Sequence, residues 1–385
     1  MSRLLPLGWL QLKHQPLRLI AATLGITFAV ILICVQMEFR EALFQSAVRY
    51  HSAMDHDLVM LSPKTSFLVS SKQFPRNRLY QVLGHADVES VTPVYMRLGS
   101  WRNPVNRASA RNIFVLGFDP SNKGFARIID EQQHALIKLS DHVIFDQRGR
   151  PEYGPVAELF DTRGPLAAEI NDRAVTVSGL YTLGTSFGLD GGIITSDLNF
   201  IRAFPKRSKS AIDLGLIHLS PGADATEVQR QIIEHIPHDV YVYTSAEFRE
   251  MEVRYWNKTT PIGYIFTFGA IMGLVVGFII VYQILFADVQ DHLKEYATLK
   301  AMGYSHGYLR GVVLQQSLVL AILGFLPGIG ISYLIFDKAS AVTGLPLALD
   351  QNAAVLIFVL TIGMCAASGI LALRKLQAVD PAEVF

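Results

Sequence analysis

Cysteine is almost missing from this 385-residue chain: there are two, Cys34 and Cys365. Both lie inside long runs that contain no charged residue. Any polar domain therefore has neither a disulfide staple nor a cysteine-based zinc site. No G-x-x-x-x-G-K-[ST] and no Gly-Lys dipeptide occur, so there is no phosphate-binding loop of the kind that hydrolyses ATP. His-Glu-x-x-His is absent as well. Lys and Arg (34) balance Asp and Glu (33), and a net charge of +1 gives no electrostatic reason to expect nucleic acid.

Charge itself is scarce. Only 17% of the residues are Asp, Glu, Lys or Arg, against about 25% in an ordinary soluble domain. The shortage is local. Leu19–Met37, Thr259–Ala287, Gly311–Phe336 and Gln351–Leu373 carry no charge at all, and the remaining 288 residues hold all 67 charges, or 23%. Each run matches the roughly 20 residues that span a bilayer. The pattern excludes both a purely soluble enzyme and a many-span transporter. It predicts four membrane helices, one before and three after a large mixed α/β domain. The first run is followed by no A-x-A-like site, so it reads as an uncleaved anchor.

The short segments set the orientation. Residues 1–18 hold Arg3, Lys13 and Arg18; residues 288–310 hold Lys294, Lys300 and Arg310; residues 374–385 hold Arg374 and Lys375; residues 337–350 hold only Lys338. Eight to one places both termini and the 288–310 loop in the cytoplasm, with 337–350 a short external loop. The spans are then 19–37, 259–287, 311–336 and 351–373, and residues 38–258 form the extracytoplasmic domain. No Asp, Glu, Lys or Arg lies in these runs, which disfavours ion-coupled transport. Their polar side chains, Gln283, Gln315, Gln316, Thr361 and Ser368, suit interhelical hydrogen bonds, and Gly269, Gly273 and Gly277 form a ladder for close helix packing.

Within 38–258, Asp57–Ser62, Val88–Tyr95, Leu214–Leu219 and Val240–Tyr243 read as strands, and Pro75–Leu83 and Ala223–His235 as helices. Two β-α-β units thus flank a middle section with strand signals at Ile113–Phe118 and Ala174–Leu180. One subdomain would be split by another inserted within it. Glu38–Tyr50 and Glu247–Lys258 read as helical stalks running on from the spans. Two basic clusters, Arg97/Arg102/Arg107/Arg111 and Arg202/Lys206/Arg207/Lys209, suit solvated loops or contact with a partner protein or anionic lipid.

Gly184-Thr185-Ser186-Phe187-Gly188 has the G-x-S-x-G form of a nucleophile elbow. The sequence after it, Leu189-Asp190-Gly191-Gly192, is poor helix sequence, so it reads as a glycine-rich loop. His235 and His238 lack a third ligand and read as a surface turn. No catalytic, cofactor or metal residue is expected.

Between the second and third spans, Val289, Leu293, Tyr296 and Ala297 recur at helical spacing, with Gly303 as a C-cap. This amphipathic helix fits either lipid headgroups or a groove on a cytoplasmic partner, and periodicity leaves both open.

Glu295-Tyr296-Ala297-Thr298-Leu299-Lys300-Ala301-Met302-Gly303 resembles the E-x-x-x-L-[RK]-A-[ML]-G motif of FtsX/MacB-type ABC permeases. Arg374-Lys375, with Asp380-Pro381 and Glu383, resembles that family's closing R-K-x-x-x-x-D-P-x-E. Tyr255–Gly263, Val281–Leu285 and Asp291–Tyr304 resemble the DevC-type permeases more closely still. The resemblance implies a MacB/FtsX-like permease fold, with an FtsX-like domain over about 259–385, in the inner membrane. It implies a homodimer and two copies of an ATPase; with only 18 residues before the first span, the ATPase is expected as a separate chain. Leu293, Glu295, Tyr296, Ala297, Thr298, Leu299, Lys300, Ala301, Met302 and Gly303 would form the coupling helix. A membrane-fusion adaptor and a TolC-type outer-membrane channel would complete the assembly. ATP-driven motion would be transmitted through the spans to the external domain, moving a lipid-like or hydrophobic substrate; the DevC likeness points to glycolipid. The competing readings are a non-transporting FtsX-like regulator of a periplasmic hydrolase and a membrane-anchored enzyme using Ser186.

Overall fold

The computed structural model describes residues 14–122, 124–293, 295, 298, 302, 304 and 306–377. In chain order it begins with helices α1 (Pro16–Ala47) and α2 (Arg49–Ala53), strands β1 (Leu58–Leu61) and β2 (Phe74–Pro75), helix α3 (Arg76–Gln81), and strands β3 (Val88–Arg102) and β4 (Ala110–Phe118). There follow α4 (Glu131–Leu136), β5 (His142–Asp146), α5 (Val156–Arg163), β6 (Leu166–Ile170), β7 (Arg173–Tyr181), β8 (Gly192–Ser196) and α6 (Asp197–Ala203). The chain then forms β9 (Ala211–Ile212), β10 (Leu214–Leu219), α7 (Ala225–His235), β11 (Tyr241–Thr244), α8 (Ser245–Arg254), α9 (Pro261–Asp291), α10 (His306–Thr343) and α11 (Gln351–Gln377). It divides into two units, Leu43–Pro261 and the residues on either side of it.

The Leu43–Pro261 unit is built on a nine-stranded sheet in the order β11-β1-β10-β3-β4-β8-β5-β7-β6. Its first four strands, with α3 and α7, form an antiparallel β-α-β-β-α-β arrangement. These elements come from the two β-α-β segments read in the sequence, and they share one sheet with the inserted strands. The inserted chain supplies the other five strands. β3 belongs to both halves: Val88–Val94 pairs with β10, and Val94–Arg102 with β4. Trp101 and Arg102 also pair with Ile170 and Glu169 of β6, so β3, β4, β8, β5, β7 and β6 close on themselves. Closure removes the open edges that would otherwise recruit other strands.

Alternate residues of a strand point to opposite faces, and here both faces are covered. Leu58 and Met60 of β1 join one core with Leu79, Val82, Val228 and Ile232. Val59 and Leu61 join the other with Tyr50, Met54 and Phe248. The first face thus carries α3 and α7, the second α2 and α8. Gly215 lets α3 approach: a Cβ there would lie 2.6 Å from Leu79 Cδ1. Asp224 caps α7 by accepting the Thr226 N–H at 2.9 Å, and Thr244 and Glu247 form a reciprocal capping box on α8.

The second stalk helix differs from the continuous one expected. After α8 the chain makes one π-helical turn, Tyr255–Thr259, and Thr260 is extended (φ −105°, ψ 158°). Pro261 is the cause, because the residue before a proline is pushed out of the helical region.

In the other unit, four helices among the described residues are long and apolar enough to cross a membrane: α1, α9, α10 and α11. They outrun the charge-free stretches; α10 continues to Thr343 and α9 to Asp291. The glycine ladder of α9 faces α1. A Cβ at Gly269 would lie 2.5 Å from Gln36 Cδ, at Gly273 3.1 Å from Ile33 Cγ1, and at Gly277 2.7 Å from the Ala29 Cβ. A second close contact joins α10 to α1, with Gly324 against Ile26 and Gly328 against Val30. Thr27 Oγ1 donates to the Gly324 carbonyl at 3.0 Å, one turn before Pro327. Ser368 Oγ bridges α11 to the Phe278 carbonyl of α9 at 3.0 Å, whereas Thr361 bonds back to Ile357 in its own helix.

Candidate functional site

The family resemblance implies that a partner ATPase would bind the segment after α9. Its start is fixed by a buried polar knot. Asp288, 4% exposed, accepts the Gln316 side-chain amide N–H at 2.8 Å, so α9 is tied to α10. His292 Nδ1 lies 2.8 Å from the Asp288 carbonyl oxygen. Arg18 of α1 pairs with Asp291. Leu293 packs beside Val289, Val313 and Leu373, which brings in α11. The charge pattern had left Asp288 in a loop. Its signal was Gln316, a strong hydrogen-bonding group in an otherwise apolar run, which calls for a buried partner.

Beyond this knot, Leu293, Glu295 and Thr298 have helical backbone. Met302 lies in a turn, its N–H donating to the Thr298 carbonyl at 3.0 Å, with its side chain 64% exposed. Tyr296, Ala297, Leu299, Lys300, Ala301 and Gly303 lie outside the described residues.

In the α/β unit a second polar knot joins the two segments next to the membrane-capable helices in sequence. Glu252 of α8 is 2% exposed. Its Oε1 accepts the Trp256 indole N–H and its Oε2 the Leu68 backbone N–H, each at 2.8 Å. His51 Nε2 of α2 lies 3.3 Å from Oε2. Phe67 stacks on Tyr255 at 4.5 Å, and Trp256 meets Phe187 edge-on at 4.5 Å.

Phe187 belongs to the glycine-rich loop, and Arg49 holds the same loop from the other segment. Its guanidinium donates to the Leu183 and Thr185 carbonyls at 3.4 and 2.5 Å. Fully buried Asp146 accepts the Arg148, Leu183 and Gly184 amides at 3.1, 3.1 and 2.8 Å. Burial nevertheless raises its carboxyl above the usual range, because desolvation outweighs those three donors. Burial also lowers the Arg49 guanidinium from its usual value, opposed by the nearby Asp146 charge.

The same loop disposes of the nucleophile elbow. Ser186 and Leu189 exchange backbone hydrogen bonds at 2.8 and 3.0 Å in a tight turn between β7 and β8, with Gly184 and Gly188 at φ +89° and +90°. An elbow needs a helix after the serine; here a strand follows. His235 Nδ1 lies 2.7 Å from the Gln231 carbonyl oxygen at the end of α7. Among the described residues no group of three His, Cys, Asp or Glu is placed to hold a metal ion.

The basic clusters are partly consumed within the fold. Arg102 pairs with Glu169 and Asp172, and Arg111 with Glu152 and Asp190. Arg202 donates to Ser140 Oγ at 2.8 Å. Arg207 is buried against Asp213. Burial pushes the Asp213 carboxyl up, opposed by the Met96 amide and by Arg207. Arg97, Lys206 and Lys209 remain exposed.

The chain is similar to the periplasmic region of MacB from Actinobacillus actinomycetemcomitans, with 10% identity and a TM-score of 0.36, over 51% of this chain and 91% of that one. It is similar to the extracellular domain of the noncanonical ABC-type transporter YknZ from Gram-positive bacteria, with 11% identity and a TM-score of 0.34, over 49% and 100%. No curated protein matches it in sequence. Residues 267–381, which take in most of α9, the motif segment, α10 and α11, match the FtsX-like permease C-terminal family. The chain thus carries an FtsX-like permease C-terminal domain over these residues.

Proposed function

We propose that this permease is the membrane subunit of a tripartite export system of the DevC type. Two copies form a homodimer in the inner membrane, with both termini and the 288–310 segment in the cytoplasm and the α/β unit in the periplasm. A separate ATPase supplies the energy by docking on the coupling helix, Leu293 to Gly303. A membrane-fusion adaptor then leads to a TolC-type channel, and the cargo is lipid-like or hydrophobic, a glycolipid by the DevC likeness.

The observation that carries this reading is the E-x-x-x-L-[RK]-A-[ML]-G motif at Glu295–Gly303, inside the FtsX-like match and between two membrane-capable helices. The Asp288 knot supports it physically. A segment that receives force must start from a fixed point, and Asp288, Arg18 and Leu293 tie that point to three other helices. The spans are apolar and glycine-packed, as levers require, and Glu252 and Arg49 join both connecting segments to the body of the α/β unit.

The test is Ala301→Asp, which places a charge on the expected docking face. The variant should insert into the membrane at wild-type yield and lose co-purification with the ATPase. Co-purification at wild-type yield would remove the coupling assignment. Co-purification of an adaptor separates export from the regulation of a hydrolase.

A further inference from the structure

We propose that the α/β unit carries a binding groove for an anionic amphiphile, formed by residues 69–77, the Met96–Leu98 stretch of β3 and residues 207–211. Two clefts of about 440 and 770 Å³ adjoin there and share Gln73. Their walls carry Lys72 and Arg97 on one side, Arg76 and Lys209 on the other. The acid in this lining is Asp213, and its charge is already answered by Arg207, with the Met96 N–H donating to it at 2.8 Å. Lys72, Arg97 and Lys209 form no ion pair within 4.0 Å among the described residues, although the Arg97 charge also acts on Asp213. Arg76 donates to Tyr80 Oη at 3.0 Å and also feels Asp197 on α6.

Four cations facing a groove whose carboxylate is neutralised make a site for negative charge. The walls between them are mixed, with apolar side chains beside Ser70, Ser71, Gln73 and Asn77. Val69 and Met96 line the floor, and Leu98 and Tyr80, each 41% exposed, stand at the rim. A free inorganic anion has no use for that apolar surface, whereas a molecule with an anionic head and a hydrocarbon body uses both.

The groove is also preorganised. The Arg76 N–H donates to the Ser210 carbonyl at 2.8 Å, and the Lys72 N–H to Thr65 Oγ1 at 3.0 Å. Tyr95 Oη donates to the Lys209 carbonyl at 2.7 Å. Phe74 pairs with Ile212 across the β2–β9 ribbon. The backbone positions of three of the cations are therefore set before any ligand arrives, which lowers the ordering cost of binding. The groove stands on charge and shape; that its ligand is the exported cargo rests on the function proposed above.

The test uses the full-length chain in phosphatidylcholine nanodiscs, without ATPase, so its outcome is independent of the coupling experiment. Amide exchange of residues 69–77 is followed while dioctanoyl phosphatidic acid, dioctanoylglycerol, inorganic phosphate or a poly-glutamate peptide is added. Phosphatidic acid should protect these amides, and the other three should not. Arg97→Gln with Lys209→Gln should weaken that protection about tenfold, and Leu98→Ser alone severalfold. Both exchanges are at exposed positions, and unchanged thermal unfolding confirms an intact fold; if the double variant unfolds, each single exchange is read instead. Protection that is absent, or unchanged in these variants, overturns the proposal. Equal protection by phosphate leaves only a simple anion site, and equal protection by poly-glutamate assigns the groove to an acidic protein segment; either result overturns it too.

Discussion

Glu252 accepts the indole N–H of Trp256 from one turn further along the chain, Oε1 to Nε1 2.8 Å, while its other oxygen takes the Leu68 amide. One side chain thereby fixes where α8 ends, how the π-helical turn is oriented and where the 67–70 segment lies. His51 brings in α2. The two connecting segments of the α/β unit thus meet at a single buried carboxylate. Phe187 and Arg49 extend the linkage to the loop of the inserted strands.

Removing that carboxylate leaves several buried groups without a partner. Glu252→Ala strips the acceptor from the Leu68 N–H and the Trp256 N–H, and a lost buried acceptor costs about 1–3 kcal/mol for each group left unsatisfied. We expect a loss of about 3 kcal/mol, which lowers the melting temperature of a domain of this size by about 6–12 °C. Glu252→Gln retains one acceptor and should fall in between. Tryptophan emission should shift to longer wavelength in the Ala variant as Trp256 gains water. A melting temperature within a degree of wild type would mean that Glu252 ties nothing.

The contact of α10 with α1 predicts opposite outcomes for two neighbouring glycines. At Gly328 a Cβ would lie 2.7 Å from Val30 Cγ1, whereas at Gly330 it meets nothing within 4 Å. Gly328→Ala should therefore cost about 1–3 kcal/mol through overpacking. Gly330→Ala should be neutral or stabilising by up to about 1 kcal/mol, because alanine is the better helix former. Thermal unfolding of the two variants in the same detergent decides it; equal melting temperatures would show that α1 and α10 are not in close contact at this point.

The same pair of glycines shows what the sequence could carry. The α9 ladder was visible because Gly269, Gly273 and Gly277 repeat at one spacing in an uninterrupted run. Gly324 and Gly328 have that spacing too, but Pro327 and Gly330 between and beside them blur it, and spacing does not say which face meets a neighbour. The outer strands were legible from apolar runs bounded by turns. β5 and β8 were not, because His142–Asp146 and Gly192–Ser196 are nearly buried throughout and so lack the polar alternation that marks a strand. β3 was read to Tyr95 and runs to Arg102, since Arg97, Gly99 and Ser100 are poor strand residues held by pairing with β4. The Glu252 knot could not be read at all. Leu68 lies 184 positions away in sequence, and nothing local marks the acid as buried.

His56 predicts how the α/β unit responds to acid. It is 8% exposed, its Nδ1 lies 3.1 Å from the Met54 carbonyl oxygen, and Phe248 covers it edge-on at 6.0 Å. Burial pushes its pKa down to about 4; the Met54 hydrogen bond opposes this, and His51, His218 and Arg127 reinforce it. An unfolded histidine takes a proton near pH 6.5. The unfolded state therefore binds the proton first, and stability falls as the pH drops from about 6.5 toward 4. At pH 4.5 the penalty amounts to about 2.5 kcal/mol. The raised carboxyls of Asp146 and Asp213 act in the opposite sense, so the wild-type curve alone does not isolate the effect. The difference from His56→Asn does, because Asn keeps a donor for the Met54 carbonyl and has no titrating group. The two proteins should be of similar stability at pH 7.5, and the Asn variant should melt about 5–10 °C higher at pH 4.5. A difference that stays constant across this range would mean that His56 does not resist protonation in the folded state.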